Sequence, residues 1–158
     1  MDTEALLKEV EKVFVQVNKP SGLAISFHKV GCCQCEYLRK DMACHEGQWL
    51  PSEAIRYLHG EMSCLSAKGW RWVLPSYLRH CLTQDTNKDP KETEFLIYNL
   101  GPALKYQKET IQRLSMLNAE QITCLIHFLE WCAAHEHWSK YCPEDIDKAL
   151  AFMRTLRV

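Results

Sequence analysis

Apolar residues recur at helical spacing along much of the chain, and this pattern predicts an all-α fold. In the first segment they share one helical face, and Asp2 or Thr3 is available as the cap. The face consists of Leu6, Leu7, Val10, Val13, Phe14 and Val17. We predict that this first helix ends in the polar, Pro- and Gly-containing stretch that begins at Asn18.

Two further helices have clear start signals near the C-terminal end. Asn118 and Gln121 have the spacing of a capping box, in which each side chain satisfies a backbone N–H of the other residue. The apolar stripe that follows is Ile122, Leu125, Ile126 and Leu129, and we predict a helix that runs to about His135. Pro143 opens the last helix, whose inward residues are Ile146, Ala149, Leu150 and Met153.

The middle of the chain has weaker signals. Pro51 and Pro75 each suit the first turn of a helix, and Gly69 is expected to stop a short helical piece before Pro75. Gly22 to Val30 has no evident strand partner, so we expect an extended connector. A short helix is expected over 36–42, with Cys35 at its N-terminal end. Residues 1–158 are thus expected to form a single irregular bundle of about six or seven helices, with a Cys-rich connector after the first helix.

Composition and charge narrow the classes of function. The 158 residues carry a net charge of −1, which provides no basic field for a nucleic acid. No apolar run is long enough for a membrane span, and the acidic start at Met1-Asp2-Thr3-Glu4 is unlike a signal peptide. We therefore expect a cytoplasmic protein with no nucleic acid and no membrane among its partners.

The chain has nine cysteines, an odd number that excludes a complete set of internal disulfides. In a reducing cytoplasm they are expected to remain thiols. Four of them fall within or beside helical apolar patterns, and we interpret these as small core residues. They are Cys64, Cys81, Cys124 and Cys132.

A tight cluster at Cys32-Cys33-Gln34-Cys35 is the strongest candidate for chemistry. Its C-x-x-C spacing supplies two zinc ligands from one turn, and Cys44, His45 or His28 would supply the others. We name Cys32, Cys35, Cys44 and His45 as the candidate metal ligands, although we expect no cofactor and keep zinc as the alternative. A second C-x-x-C pair is absent, so the alternative of reduced structural thiols stays open. A redox dithiol normally lies in a βαβ scaffold, which a helical chain does not provide.

No hydrolase, zinc-protease or nucleotide-binding motif is present. His80 adjoins Cys81, but neighbouring residues on a helix point apart, so a dyad would have to form across the fold. A pocket that contained His80 or His127 beside a Cys or Glu would indicate an enzyme.

Trp70 and Trp72 flank Arg71 and cannot face the same way on a helix, so we expect one of them to be an exposed partner-binding anchor.

The pattern of motifs over about residues 30–132 resembles a group of small uncharacterised bacterial proteins. The matching elements are Cys32-x-x-Cys35-Glu36-x-Leu38, Trp49, Trp72-Val73-Leu74-Pro75-Ser76-Tyr77-Leu78, Leu117-x-x-Glu120-Gln121 and Phe128-Leu129-Glu130. Members typically carry an aromatic-x-Leu-Pro-Ala-Tyr-Leu element, and Ser76 stands where alanine is usual. The resemblance implies a bacterial, stand-alone cytosolic domain. It supplies no catalytic residues and implies that the C-x-x-C belongs to the scaffold.

Three hypotheses of function follow. The first is a non-enzymatic interaction domain that binds another protein, as an immunity-type inhibitor binds a toxin or effector. Its near-neutral charge favours hydrophobic and mixed contacts with that partner. The second is a zinc-stabilised regulatory module built on the Cys32-x-x-Cys35 cluster. The third is an enzyme of unknown class.

Overall fold

Helices account for the regular structure of the chain, as the apolar pattern predicts. The structure is a computed structural model that describes residues 1–47, 49–58 and 60–157. These residues form nine α-helices and no strand. In chain order, α1 to α9 are Thr3–Val13, Cys33–Met42, Ser52–Leu58, Ala67–Thr83, Lys91–Leu100, Gln107–Arg113, Ala119–Ala134, Trp138–Tyr141 and Pro143–Leu156. The prediction of an all-α fold is confirmed, although the expected number of helices was too low.

Helix α7 packs against α1, α8 and α9. Its capping box is present as predicted: the Gln121 N–H donates to Asn118 Oδ1, and the Asn118 N–H donates to Gln121 Oε1. Gln121 also donates from Nε2 to the Val13 carbonyl at 3.0 Å, which ties the start of α7 to the end of α1. Among the described residues, no helix combines the length and apolar character needed to cross a membrane.

Helix α4 differs from the prediction that a short piece ends at Gly69 and a new helix starts at Pro75. It runs without interruption from Ala67 to Thr83, and Ser66 caps it by accepting the Gly69 N–H at 3.0 Å. Proline in a helix interior removes one backbone hydrogen bond and disfavours a straight continuation. Every residue from Gly69 to Leu78 is buried, so the packing of α4 offsets that cost.

The same burial corrects the expectation that Trp70 or Trp72 is an exposed anchor. Their exposed fractions are 2% and 1%. Trp70 donates from Nε1 to the Met62 carbonyl at 3.1 Å, while the Trp72 ring lies under the Lys19 ammonium. The two rings do face different neighbours, as predicted. Because other parts of the chain cover α4 on several sides, both rings are buried. The four cysteines predicted as core residues are all buried.

The connector after α1 is only partly extended. A 3₁₀ turn covers Gly22–Ile25, and Ser26 then forms a single antiparallel bridge with Leu65, just beyond the 3₁₀ turn Met62–Cys64. Gly69 makes this approach possible, because a Cβ atom there would lie 2.5 Å from the Ile25 carbonyl oxygen. The close contact of the connector with α4 fixes where the segment that follows Ser26 lies.

Candidate metal centre

Three side chains with metal-binding atoms meet where the connector enters α2. His28 comes from the connector, Cys32 is the N-cap residue of α2, and Cys35 lies in its first turn. Their ligand atoms all lie within 4.8 Å of one another. Thiolate sulfur and imidazole nitrogen are the donors that zinc prefers in proteins. This group is therefore a candidate metal centre.

Backbone and side-chain hydrogen bonds hold the His28 segment in place. The Phe27 N–H donates to the Cys64 carbonyl at 2.7 Å, beside the Ser26–Leu65 bridge. On the other side, Arg39 of α2 donates from Nη1 to Ser26 Oγ at 2.6 Å and to the His28 carbonyl at 3.2 Å. The connector is thereby fixed to both α2 and the Met62–Cys64 turn.

The surroundings of the thiols differ sharply. The Cys32 thiol is partly exposed, and its pKa lies below the usual value. The chief cause is the nearby backbone N–H of Cys35, which favours the thiolate. The Cys32 sulfur does not form a hydrogen bond that caps α2. The buried Cys35 Sγ lies 3.8 Å from His28 Nδ1 and 3.8 Å from the Cys64 carbonyl oxygen. Burial raises the pKa of Cys64 to about 12, and the neighbouring Cys35 adds to that shift.

A cleft of about 440 Å³ opens beside this group. His28, Cys32 and Cys64 line it together with Tyr98, Tyr106 and Arg113.

Arg113 is the most unusual residue of the cleft wall, because it is a cation with an exposed fraction of only 8%. Its guanidinium lies 4.4 Å from the centre of the Phe27 ring, and Nη2 is 3.6 Å from a Glu109 carboxylate oxygen. Its Nε is buried and has no hydrogen-bond partner within the described part of the chain. A buried donor of this kind is costly unless an acceptor is supplied.

The structure brings together only part of the ligand set predicted from the sequence. Cys32 and Cys35 meet, and the nitrogen ligand beside them is His28, which the sequence offered as one of several choices. Cys44 and His45 are not in the group, and this part of the prediction is corrected. They lie beyond the C-terminal end of α2, a ten-residue helix about 15 Å long, so the helix itself separates them from Cys35.

Two residues of the site were missed or misjudged from the sequence. Cys64 was predicted only as a core residue, and Arg113 was not singled out at all. Cys64 is 29 residues from Cys35 along the chain and Arg113 is further still, so no local spacing relates them to the C-x-x-C.

The histidines considered as enzyme candidates lie elsewhere. The His80 Nε2 is 3.5 Å from a Glu92 carboxylate oxygen, and both side chains are buried. His127 Nδ1 is 2.8 Å from Glu9 at the α1–α7 contact. Neither histidine is among the residues that line the 440 Å³ cleft. Both pairs instead link neighbouring elements of the bundle.

Fold and site together define an all-α protein with a cysteine–histidine candidate metal centre at the edge of a cleft. The chain belongs to a family of unknown function, DUF6714, and the match covers residues 2–152. No curated protein and no solved structure matches it. The resemblance to an uncharacterised family noted from the motifs is thereby confirmed.

Proposed function

We propose that this chain is a zinc-stabilised regulatory module with a non-enzymatic role. The observation that carries the proposal is the convergence of His28, Cys32 and Cys35 with all ligand atoms within 4.8 Å. Two thiols and an imidazole are too soft a donor set for magnesium or calcium, and they suit zinc.

Metal binding at this point would affect the fold locally. His28 lies in the connector, whereas Cys32 and Cys35 lie at the start of α2, so one ion would join the two elements. Because the ligands must be deprotonated and brought together, the free energy of binding adds to the stability of the folded state. Zinc would thereby further stabilise the cleft wall formed by His28 and Cys32, which is a simple basis for regulation.

Metal analysis of protein purified without a chelator tests this proposal. We expect one zinc per chain in the wild type and a loss of that zinc in C35S. Cys33 is the matched control, because it is an exposed cysteine of the same helix and lies outside the ligand group. The C33S variant should retain the full zinc content. A wild-type protein without stoichiometric zinc would contradict the proposal.

Protein binding is a second candidate function, supported by apolar side chains around the cleft. Val30 and Leu104 have exposed fractions of 81% and 84%, and the cleft-lining residues Tyr98 and Tyr106 are also exposed. Exposed apolar groups that cluster in this way are typical of partner-binding surfaces. The partner we propose is another bacterial protein of the same cytoplasm, of the toxin or effector type that immunity proteins inhibit.

Affinity capture from the native host, followed by identification of the neighbouring gene product, tests this second candidate. We expect L104D to abolish capture of a stoichiometric partner, because Leu104 lies between the cleft-lining residues Ala103 and Tyr106 and a carboxylate would replace its exposed apolar side chain. V15D is the control, since Val15 is 71% exposed and neither it nor its neighbours in the chain line the cleft. Failure of the wild type to retain a stoichiometric partner would remove this candidate function.

A further inference from the structure

We infer that Cys64 is the fourth ligand, so that the centre is a closed Cys₃His site for zinc. The inference rests on the proposed function of the His28, Cys32 and Cys35 group. It changes the character of that site, because a zinc ion with four protein ligands is structural, whereas one with three keeps a position open for water or substrate.

Backbone geometry places Cys64 against the other ligands from the opposite side. The Phe27 N–H donates to the Cys64 carbonyl at 2.7 Å, so Cys64 lies directly beside the residue that precedes His28. The Cys35 thiol in turn lies 3.8 Å from the same carbonyl oxygen. Cys64 and Cys32 both line the 440 Å³ cleft. The Cys64 sulfur is not among the ligand atoms that lie within 4.8 Å of one another. The Cys64 backbone nevertheless adjoins both the His28 segment and Cys35, so closing the site requires only that the Cys64 side chain turn towards the other ligands.

The charge of Arg113 gives an independent reason for a third thiolate. A zinc ion with two thiolates, one neutral imidazole and a water molecule has no net charge, whereas three thiolates and an imidazole give a charge of −1. Arg113 is a buried cation in the wall of the same cleft, and buried charges require a counter-charge. The exposed Glu109 at 3.6 Å supplies only part of this.

The buried Nε of Arg113 also supports a negatively charged centre beside it. This buried N–H has no acceptor among the residues that the structure describes. Metal-bound thiolates accept hydrogen bonds from residues around the ligand shell, and such contacts orient the ligands and stabilise the centre. Arg113 lines the same cleft as Cys32 and Cys64. Arg113 is therefore assigned as the positioning residue that compensates the charge of the closed centre.

X-ray absorption at the zinc edge of the wild-type protein tests the ligand set without any substitution. We expect three sulfur ligands at about 2.3 Å and one nitrogen at about 2.0 Å. Two sulfurs together with two nitrogen or oxygen ligands would overturn the assignment of Cys64 and leave the three-residue zinc site intact. Absence of bound zinc would instead overturn the proposed function and this inference together.

Cobalt substitution of variants gives a second measurement. The intensity of thiolate-to-cobalt charge transfer grows with the number of thiolates, so C64S should retain roughly two-thirds of the wild-type value. C142S is the matched control, because Cys142 is a buried free cysteine with an exposed fraction of 5%, against 6% for Cys64. It should keep the wild-type spectrum. An unchanged spectrum in C64S would overturn the inference, and if C64S fails to fold, the wild-type sulfur count decides.

Discussion

The imidazole of His28 lies 3.8 Å from the thiol of Cys35, and the two residues belong to different elements of the fold. His28 lies in an irregular connector, and Cys35 is buried in the first turn of α2. The contact exists because the Phe27 N–H donates to the Cys64 carbonyl and the Ser66 N–H donates to the Ile25 carbonyl, on either side of the Ser26–Leu65 bridge. Metal binding at this site therefore depends on the packing of the connector against the segment around Cys64 and Leu65.

Zinc should stabilise the wild-type protein and fail to stabilise C35S. When metal-free wild-type protein receives zinc at about 100 times its dissociation constant, its free energy of unfolding should rise by about 2.7 kcal/mol. Chemical denaturation with and without zinc measures this difference. C33S and C44S should respond like the wild type, since both residues are exposed and lie outside the ligand group. An equal loss of the zinc effect in C44S would restore the ligand set first predicted from the sequence.

Replacing Gly69 by alanine should destabilise the protein, although this substitution usually stabilises a helix. The new Cβ would lie 2.5 Å from the Ile25 carbonyl oxygen and 3.0 Å from a Leu65 methyl carbon. Overpacking of this kind costs about 1–3 kcal/mol, which exceeds the roughly 1 kcal/mol that alanine gains over glycine in a helix. Urea denaturation of metal-free protein measures the loss.

Gly60 provides the control for this substitution, because a Cβ there would have no atom within 4 Å. G60A should change the free energy of unfolding by no more than about 0.5 kcal/mol. G69A should also weaken zinc binding, since the contact with Ile25 positions the His28 segment. If G69A had the same stability and zinc affinity as the wild type, α4 and the connector could move apart without a loss of free energy.

The stability of the protein should respond to the ionisation of Glu61. Burial, and then the neighbouring Asp41, raise the pKa of Glu61 to about 7 from a usual value of 4.5. Between these two values the folded state holds more protons than the unfolded state, so stability falls as the pH rises from about 4.5 to 7. Above pH 7 the cost is complete, and below about 4.5 it is absent.

E61Q should therefore be more stable than the wild type at pH 8 and similar to it at pH 4. We expect a gain of about 1–2 kcal/mol at pH 8, less than the full pKa shift implies, because Glu61 is partly exposed. Thermal unfolding across this pH range measures the difference. D41N should give a smaller gain of the same sign, because the Asp41 charge is the secondary cause of the shift. A gain that is independent of pH would rule out ionisation as its origin.

The side chain of Gln121 should contribute more to stability than a helix cap normally does. In Q121E the carboxylate still accepts the Asn118 N–H, but it cannot donate to the Val13 carbonyl, and it introduces a charge where the exposed fraction is 5%. We expect a loss of about 2–3 kcal/mol, against about 1 kcal/mol for N118A. The exposed neighbour Glu120 supplies the control, and E120Q should change stability by less than about 0.5 kcal/mol. Equal losses in Q121E and N118A would mean that the bond to Val13 contributes nothing.

Helix ends were predictable where a local residue satisfies a backbone group. Asp2 accepts the Ala5 N–H as the cap of α1, and Asn118 and Gln121 form the predicted box at α7. Pro75 shows the limit of this reasoning. Its preference for a helix start is local, but α4 extends through it because burial along almost the whole helix contributes more. Burial of both Trp70 and Trp72 has the same origin.

By itself, the sequence determined that the fold is helical, that Cys32 and Cys35 lie together at the start of α2, and that several other cysteines are core residues. These features depend on spacing within a few residues, where helical geometry relates side chains directly. Only the tertiary structure selected His28 over Cys44 and His45, and it alone placed Cys64 and the buried Arg113 beside the cluster. That choice depends on contacts between segments far apart in the chain, above all the approach of Ile25 to Gly69, which no local pattern specifies.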